Sequence, residues 1–113
     1  MLLVREYVDA AGRSPFTKWL RALNVQAAAK VATALERIAE GNLSNAKTVG
    51  GGVLEYKVDF GPGYRIYFGR DGERLVILLA GGVKKRQRED IRLAKANWGN
   101  YRSRKAQEGA RCH

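Results

Sequence analysis

An α+β fold is predicted by three features of this 113-residue sequence. Apolar residues recur at helical spacing in two early segments and one late one. A middle block alternates at period two, and Gly- and Pro-bearing turns divide that block into strands. The length suits one domain, expected over residues 1–104, with a basic, flexible tail at 105–113. The order is strand, two helices, three-stranded antiparallel meander and C-terminal helix, one layer of helix on one layer of sheet.

Leu2 to Val8 is apolar-rich and predicts a strand, broken by Ala10-Ala11-Gly12-Arg13. Ser14-Pro15 then starts a helix, with Ser as cap and Pro at a position whose missing N–H costs nothing. Phe16, Trp19, Leu20 and Leu23 form its apolar face. Asn24 opens a second helix, Val25 to about Glu40, with Ala28, Val31, Ala32, Leu35, Ile38 and Ala39 on one face, and Gly41-Asn42 ends it. The two helices form a hairpin. Ser44 to Gly52 has no period and reads as a loop.

Val53 to Phe60 alternates, with Leu54, Tyr56, Val58 and Phe60 towards the core and Glu55, Lys57 and Asp59 opposite. After Gly61-Pro62-Gly63, a second strand runs from Tyr64 to Gly69 and turns Arg65 and Tyr67 away from the core. Asp71-Gly72 supplies a hairpin turn. Leu75 to Ala80 is continuously apolar, as suits a central strand buried on both faces, and Gly81-Gly82 closes it. The last helix spans about Arg86 to Arg104, with Ile91, Ala94, Trp98 and Tyr101 as its apolar stripe.

Charge narrows the function. The formal net charge is +10, and ten of the 21 Lys and Arg residues fall from Lys84 onward against three of the 11 acidic ones. Such polarity fits either a solvated helix face or a phosphate-binding edge to which Lys57 and Arg65 add. The single cysteine, Cys112, excludes an internal disulfide, and Cys112 with the single His113 at the chain end excludes a His/Cys zinc site. No apolar run is long enough for a membrane span, and the start lacks a signal-peptide pattern. A reduced, cytoplasmic domain without membrane contact is expected.

The run Gly61-Pro62-Gly63-Tyr64-Arg65-Ile66-Tyr67-Phe68, preceded by Val53-Leu54-Glu55-Tyr56-Lys57, resembles the central hairpin of RelE/ParE-superfamily toxins. Ala80-Gly81-Gly82-Val83-Lys84-Lys85, the Gln87-Arg88-Glu89-Asp90-Ile91 helix start and Phe16-Thr17-Lys18-Trp19-Leu20 extend the likeness over roughly residues 2–101. It is nearest to the HigB-like "addiction module killer" branch, phage-derived and Gp49-like. The resemblance implies a RelE-like fold of microbial-RNase type and a toxin of a type II toxin–antitoxin module. It further implies a cognate antitoxin, often a helix-turn-helix protein, and metal-free, cofactor-free cleavage of mRNA on the ribosome. ParE-like members instead poison DNA gyrase, and a decayed toxin would only bind its antitoxin.

Metal-free RNA cleavage needs proton transfer and charge stabilisation at a crowded phosphorane. Arg65 is the expected stabiliser, because a planar, permanently charged fork suits phosphate, or else it pairs across the hairpin with Asp59 or Glu55. Lys57, which matches a basic position of the RelE-like strand, holds phosphate or acts as base. Lys84, Lys85 and Arg86 leave the sheet where the family places a catalytic or RNA-gripping cation. Glu55 is either general base or an organiser of Lys57 and Arg65. Arg86, Arg88 and Lys95 are expected to bind RNA, and Tyr67 to stack on a base or pack half-buried.

Overall fold

The Ser14 hydroxyl accepts the Thr17 N–H at 3.1 Å and Pro15 takes the first helical position, so α1 (Pro15–Arg21) begins where the sequence places it. Asn24 caps α2 (Val25–Ala39) in the same way through the Ala27 N–H at 2.8 Å. The computed structural model describes residues 1–111, and Cys112 and His113 lie outside the described residues. The architecture is α+β, compatible with a RelE-like fold. The remaining elements are β1 (Leu3–Glu6), β2 (Ala46–Gly50), β3 (Val53–Val58), β4 (Tyr64–Asp71), β5 (Leu75–Val83), a short 3-10 turn (Lys84–Arg86) and α3 (Gln87–Arg111).

The five strands lie in the order β1-β5-β4-β3-β2. Neighbours from β2 to β5 are antiparallel, whereas β1 runs parallel to β5 with Leu3 opposite Leu75. The sheet is thus mixed at one edge, because α1 and α2 form the crossover that carries the chain from β1 back to the sheet.

Two corrections concern the layers and the edge. The segment read as a loop contains β2, paired with β3 through Ala46 opposite Tyr56 and Lys47 opposite Glu55. The sheet is also covered on both faces. On one face α1 and α2 bury Phe16, Ala27, Val31, Ala34 and Ile38 against Tyr56, Tyr64, Ile66, Phe68 and Leu78. On the other, α3 lays Ala94 and Trp98 over Val53, Tyr67, Ile77, Leu79 and Ala80. The buried stripe of α2 is Ala27, Val31, Ala34 and Ile38, rotated from the expected one, and Ala32 is exposed.

Further differences are local. β5 continues through Gly81 and Gly82, which admit side chains from opposite layers: a Cβ at Gly81 would overlap the Trp19 ring, and one at Gly82 would overlap the Asp90 carboxyl. The β4–β5 register shifts between Tyr67 and Phe68, so Leu79 and Ala80 both face α3. β3 stops at Val58 rather than Phe60, β1 is shorter than Leu2–Val8, and α3 runs to Arg111 rather than Arg104. Within that last stretch Lys105 pairs with Asp71 at 2.6 Å.

Candidate functional site

Adjacent strands place the residues of interest in two rows on the α3 side of the sheet. Lys57 lies opposite Arg65, which lies opposite Gly82, while Lys47, Glu55, Tyr67 and Ala80 form the next row. Because α3 covers this face, residues that alternate as a solvent side are enclosed. Glu55 is 2% exposed and Arg65 5%. A buried carboxylate and a buried guanidinium each need a partner, and they find one another: Arg65 Nε sits 3.4 Å from Glu55 Oε1. The cross-hairpin pairing of Arg65 is therefore with Glu55, and Asp59 instead lies 3.5 Å from Lys57.

Glu55 is crowded with donors. Gln87 Nε2, from the first turn of α3, donates to its Oε2 at 2.8 Å, and Lys47 Nζ stands 3.8 Å from Oε1. Neither Gln87 nor Lys47 was among the expected site residues. Gln87 and Asp90, one helical turn apart, both reach down to the sheet, and that spacing was the sequence signal for them.

Arg65 is less well served than Glu55. Its Nη1 donates to the Tyr64 carbonyl at 3.3 Å, while its buried Nε makes no hydrogen bond. The Tyr67 hydroxyl and Asp90 Oδ2 are also buried without a hydrogen-bond partner. Burial, followed by the charge of Glu55, pushes the Tyr67 phenol up well beyond its ordinary range, so it stays protonated. Tyr67 is fully enclosed, which corrects the expectation that its ring stacks on a base or packs half-buried.

Burial likewise raises the Asp90 carboxyl, with Glu89 adding to the rise and Arg86 opposing it. A carboxyl raised by folding holds its proton more tightly in the folded chain, so its contribution to stability falls as pH rises above the usual carboxylate value. Asp90→Asn is therefore expected to melt a few degrees above the parent at pH 7 and to lose that advantage near pH 3.5, as calorimetry at the two pH values would register.

Beside this buried pair lies an open cleft of about 360 Å³ lined by Ser44, Asn45, Ala46, Lys47, Glu55, Lys57, Asp59 and Arg65. Lys57 and Lys47 are exposed at its mouth. Of the three cations that follow β5, Lys84 shares a neighbour with Arg65: its backbone N–H donates to the Gly63 carbonyl at 2.9 Å, and Gly63 also borders Arg65 Nη1. Lys85 is exposed, and Arg86 is drawn to Glu89 at 3.0 Å. Arg88 and Lys95 are exposed on α3, away from the cleft floor. The cleft thus joins Arg65, Lys57 and Glu55, with Lys84 beside them, and leaves Lys85, Arg86, Arg88 and Lys95 outside.

The family model described as Phage derived protein Gp49-like (DUF891) matches residues 18–98, a segment that holds the whole Glu55–Arg65–Gln87–Asp90 assembly. The chain belongs to this family. The Gp49-like family is toxin-like, within the RelE/HigB-type group, and membership implies an antitoxin as partner. An uncharacterised protein of Haemophilus influenzae Rd is 42% identical over 81 residues, which are 71% of this chain and 82% of that protein. Among the described residues of this Gp49-like chain, no helix is long and apolar enough to cross a membrane.

Proposed function

We propose that the chain is the toxin of a type II toxin–antitoxin module and arrests translation by cutting mRNA on the ribosome without a metal. One observation carries the reading. A buried arginine, held by Glu55 at 3.4 Å, stands in the wall of a cleft that also carries Lys47 and Lys57, in a chain of a toxin-like family. Guanidinium donors held in a dry wall cost no reorganisation when negative charge develops in front of them.

The chemistry follows from the cleft. The substrate's 2′-oxygen attacks the adjacent phosphorus, the bond to the 5′-oxygen breaks, and a 2′,3′-cyclic phosphate and a 5′-hydroxyl result. Arg65 stabilises the phosphorane oxygens. Lys57, an ammonium at the cleft mouth, holds the phosphate and gives a proton to the leaving 5′-oxygen. Glu55 is committed to Arg65, Lys47 and Gln87, so its part is to position the guanidinium. Asp59, exposed beside Lys57, is then the cleft carboxylate with room to take the 2′-hydroxyl proton.

Lys57→Ala tests this without touching the core, since the side chain is 54% exposed. Its cleavage rate should fall by about 10²- to 10³-fold with an unchanged melting temperature. The assay is 5′-end mapping of a defined mRNA incubated with purified protein, with and without translating ribosomes. Cuts that appear only with ribosomes and fade in Lys57→Ala establish the reading. Cuts in naked RNA remove the ribosome from it. Intact message from protein that still stops growth overturns it in favour of a gyrase poison.

A further inference from the structure

The unengaged cations of α3 gather on one flank. Arg88, Arg92, Lys95 and Arg102 follow one another at steps of four, three and seven residues, which at 3.6 residues per turn places them in a single stripe about 21 Å long. All four are exposed, and among the described residues none makes a hydrogen bond or an ion pair. Arg86 and Arg104 belong to the other flank and are engaged, with Glu89 and with the Val8 carbonyl and Tyr7 ring respectively.

The stripe overhangs a particular edge of the sheet. Lys95 crosses the β2–β3 turn so closely that a Cβ at Gly50 would lie 3.2 Å from its Nζ. β2 also carries Lys47, which lines the cleft, so stripe and cleft share one side of the molecule. Between Lys95 and Arg102 the flank carries Gly99, and one turn beyond Arg102 it carries Ala106, both small. The exposed large apolar residues among those described, Met1, Leu3, Val8, Val25 and Leu93, are absent from it.

That composition selects the occupant. A protein partner needs a desolvated aromatic or aliphatic anchor at the centre of its interface, and this flank has none. A nucleic-acid backbone needs only regularly placed cations, because released counterions drive the binding. We propose that the Arg88–Arg92–Lys95–Arg102 flank of α3 is a rail for the RNA backbone, holding strand that continues out of the cleft. The proposal rests on RNA being the ligand of the cleft, and it makes binding along α3 separable from cleavage.

The test uses a fluorescent 20-nucleotide single strand of 2′-O-methyl RNA, which has no 2′-hydroxyl to react, and follows anisotropy across a salt series. The fourfold variant Arg88→Gln, Arg92→Gln, Lys95→Gln, Arg102→Gln should reduce the slope of log affinity against log salt by about 3 units, at about 0.7 for each phosphate no longer neutralised. A control variant removes four exposed charges that line no part of the cleft: Arg13→Gln, Lys18→Gln, Arg21→Gln and Arg74→Gln. Its slope should stay near the parent's. An unchanged slope in the α3 variant, or an equal loss in the control, overturns the rail. Lys57→Ala removes one phosphate contact and should lower the slope by only about 0.7 while its cleavage falls by orders of magnitude, so a failed cleavage reading and a failed rail give different results.

Discussion

Arg65→Ala is expected to lose about 3–5 kcal/mol of stability, enough to leave a domain of this size close to unfolding. The cause is the residue left behind. Glu55 is 2% exposed, and its nearest fully desolvated countercharge is the Arg65 guanidinium at 3.4 Å. Remove that charge and the carboxylate keeps Gln87 and a solvated Lys47 at 3.8 Å, too little to offset its burial. Urea denaturation would measure the loss. Replacing both partners by apolar residues, Glu55→Leu with Arg65→Met, should recover most of it, since the desolvation cost disappears with the charges. A single variant with the parent's midpoint would mean that water reaches the pair freely. Loss of growth arrest in Arg65→Ala alone would therefore mix unfolding with chemistry, and the exposed Lys57 makes the cleaner probe.

The second large effect is expected at Trp98. Its indole stacks on Tyr101 with ring centres 5.4 Å apart and planes 6° from parallel. It also fills the space left by two glycines: a Cβ at Gly52 or at Gly69 would come within 2.6 Å of the ring. Trp98→Ala should cost about 3–5 kcal/mol, through lost burial and the cavity it opens between α3 and the sheet. Trp19 remains as a fluorescent reporter in that variant, and its unfolding midpoint in urea would give the loss directly. Gly69→Ala approaches the same packing from the other side and should cost about 1–3 kcal/mol by overfilling it. A loss well under 1 kcal/mol in Trp98→Ala would show that polar contacts such as Asn97 to the Leu79 carbonyl at 2.9 Å hold α3 down on their own. Because α3 also delivers Gln87 to Glu55, its loosening would disturb the cleft wall from a distance.

Much of this was legible in the residues themselves. Caps at Ser14 and Asn24, the alternation of Val53 to Val58 and the Asp71-Gly72 turn gave the elements, because each is decided by near neighbours. β2 was hidden because it is an edge strand: only Ala46 and Val49 are partly buried, Lys47 and Thr48 are exposed, and the pairing is irregular between Thr48 and Gly50. No alternation survives such a pattern. The second helical layer was hidden for a different reason. Glu55, Arg65 and Tyr67 carry polar atoms, so their face reads as a solvent face, and only α3 lying across it shows that it is enclosed. Gly81 and Gly82 could be recognised as unusual, but not which side chains fill the space above them. Trp19 arrives there from a helix far earlier in the chain, and Asp90 from the first turn of the helix that follows β5.

The parallel pairing of β1 with β5 sets a timetable for folding. Leu3 must wait for Leu75, so roughly 70 residues have to emerge before the first strand finds its partner. At about 5–20 residues per second that is roughly 4–14 s of synthesis. The β3–β4 hairpin, by contrast, closes over a short turn and can form as soon as it is made. The last cover over Glu55 and Arg65 is α3, which follows every strand. The nascent chain therefore assembles from the middle outward, and its charged centre stays wet until the final helix docks.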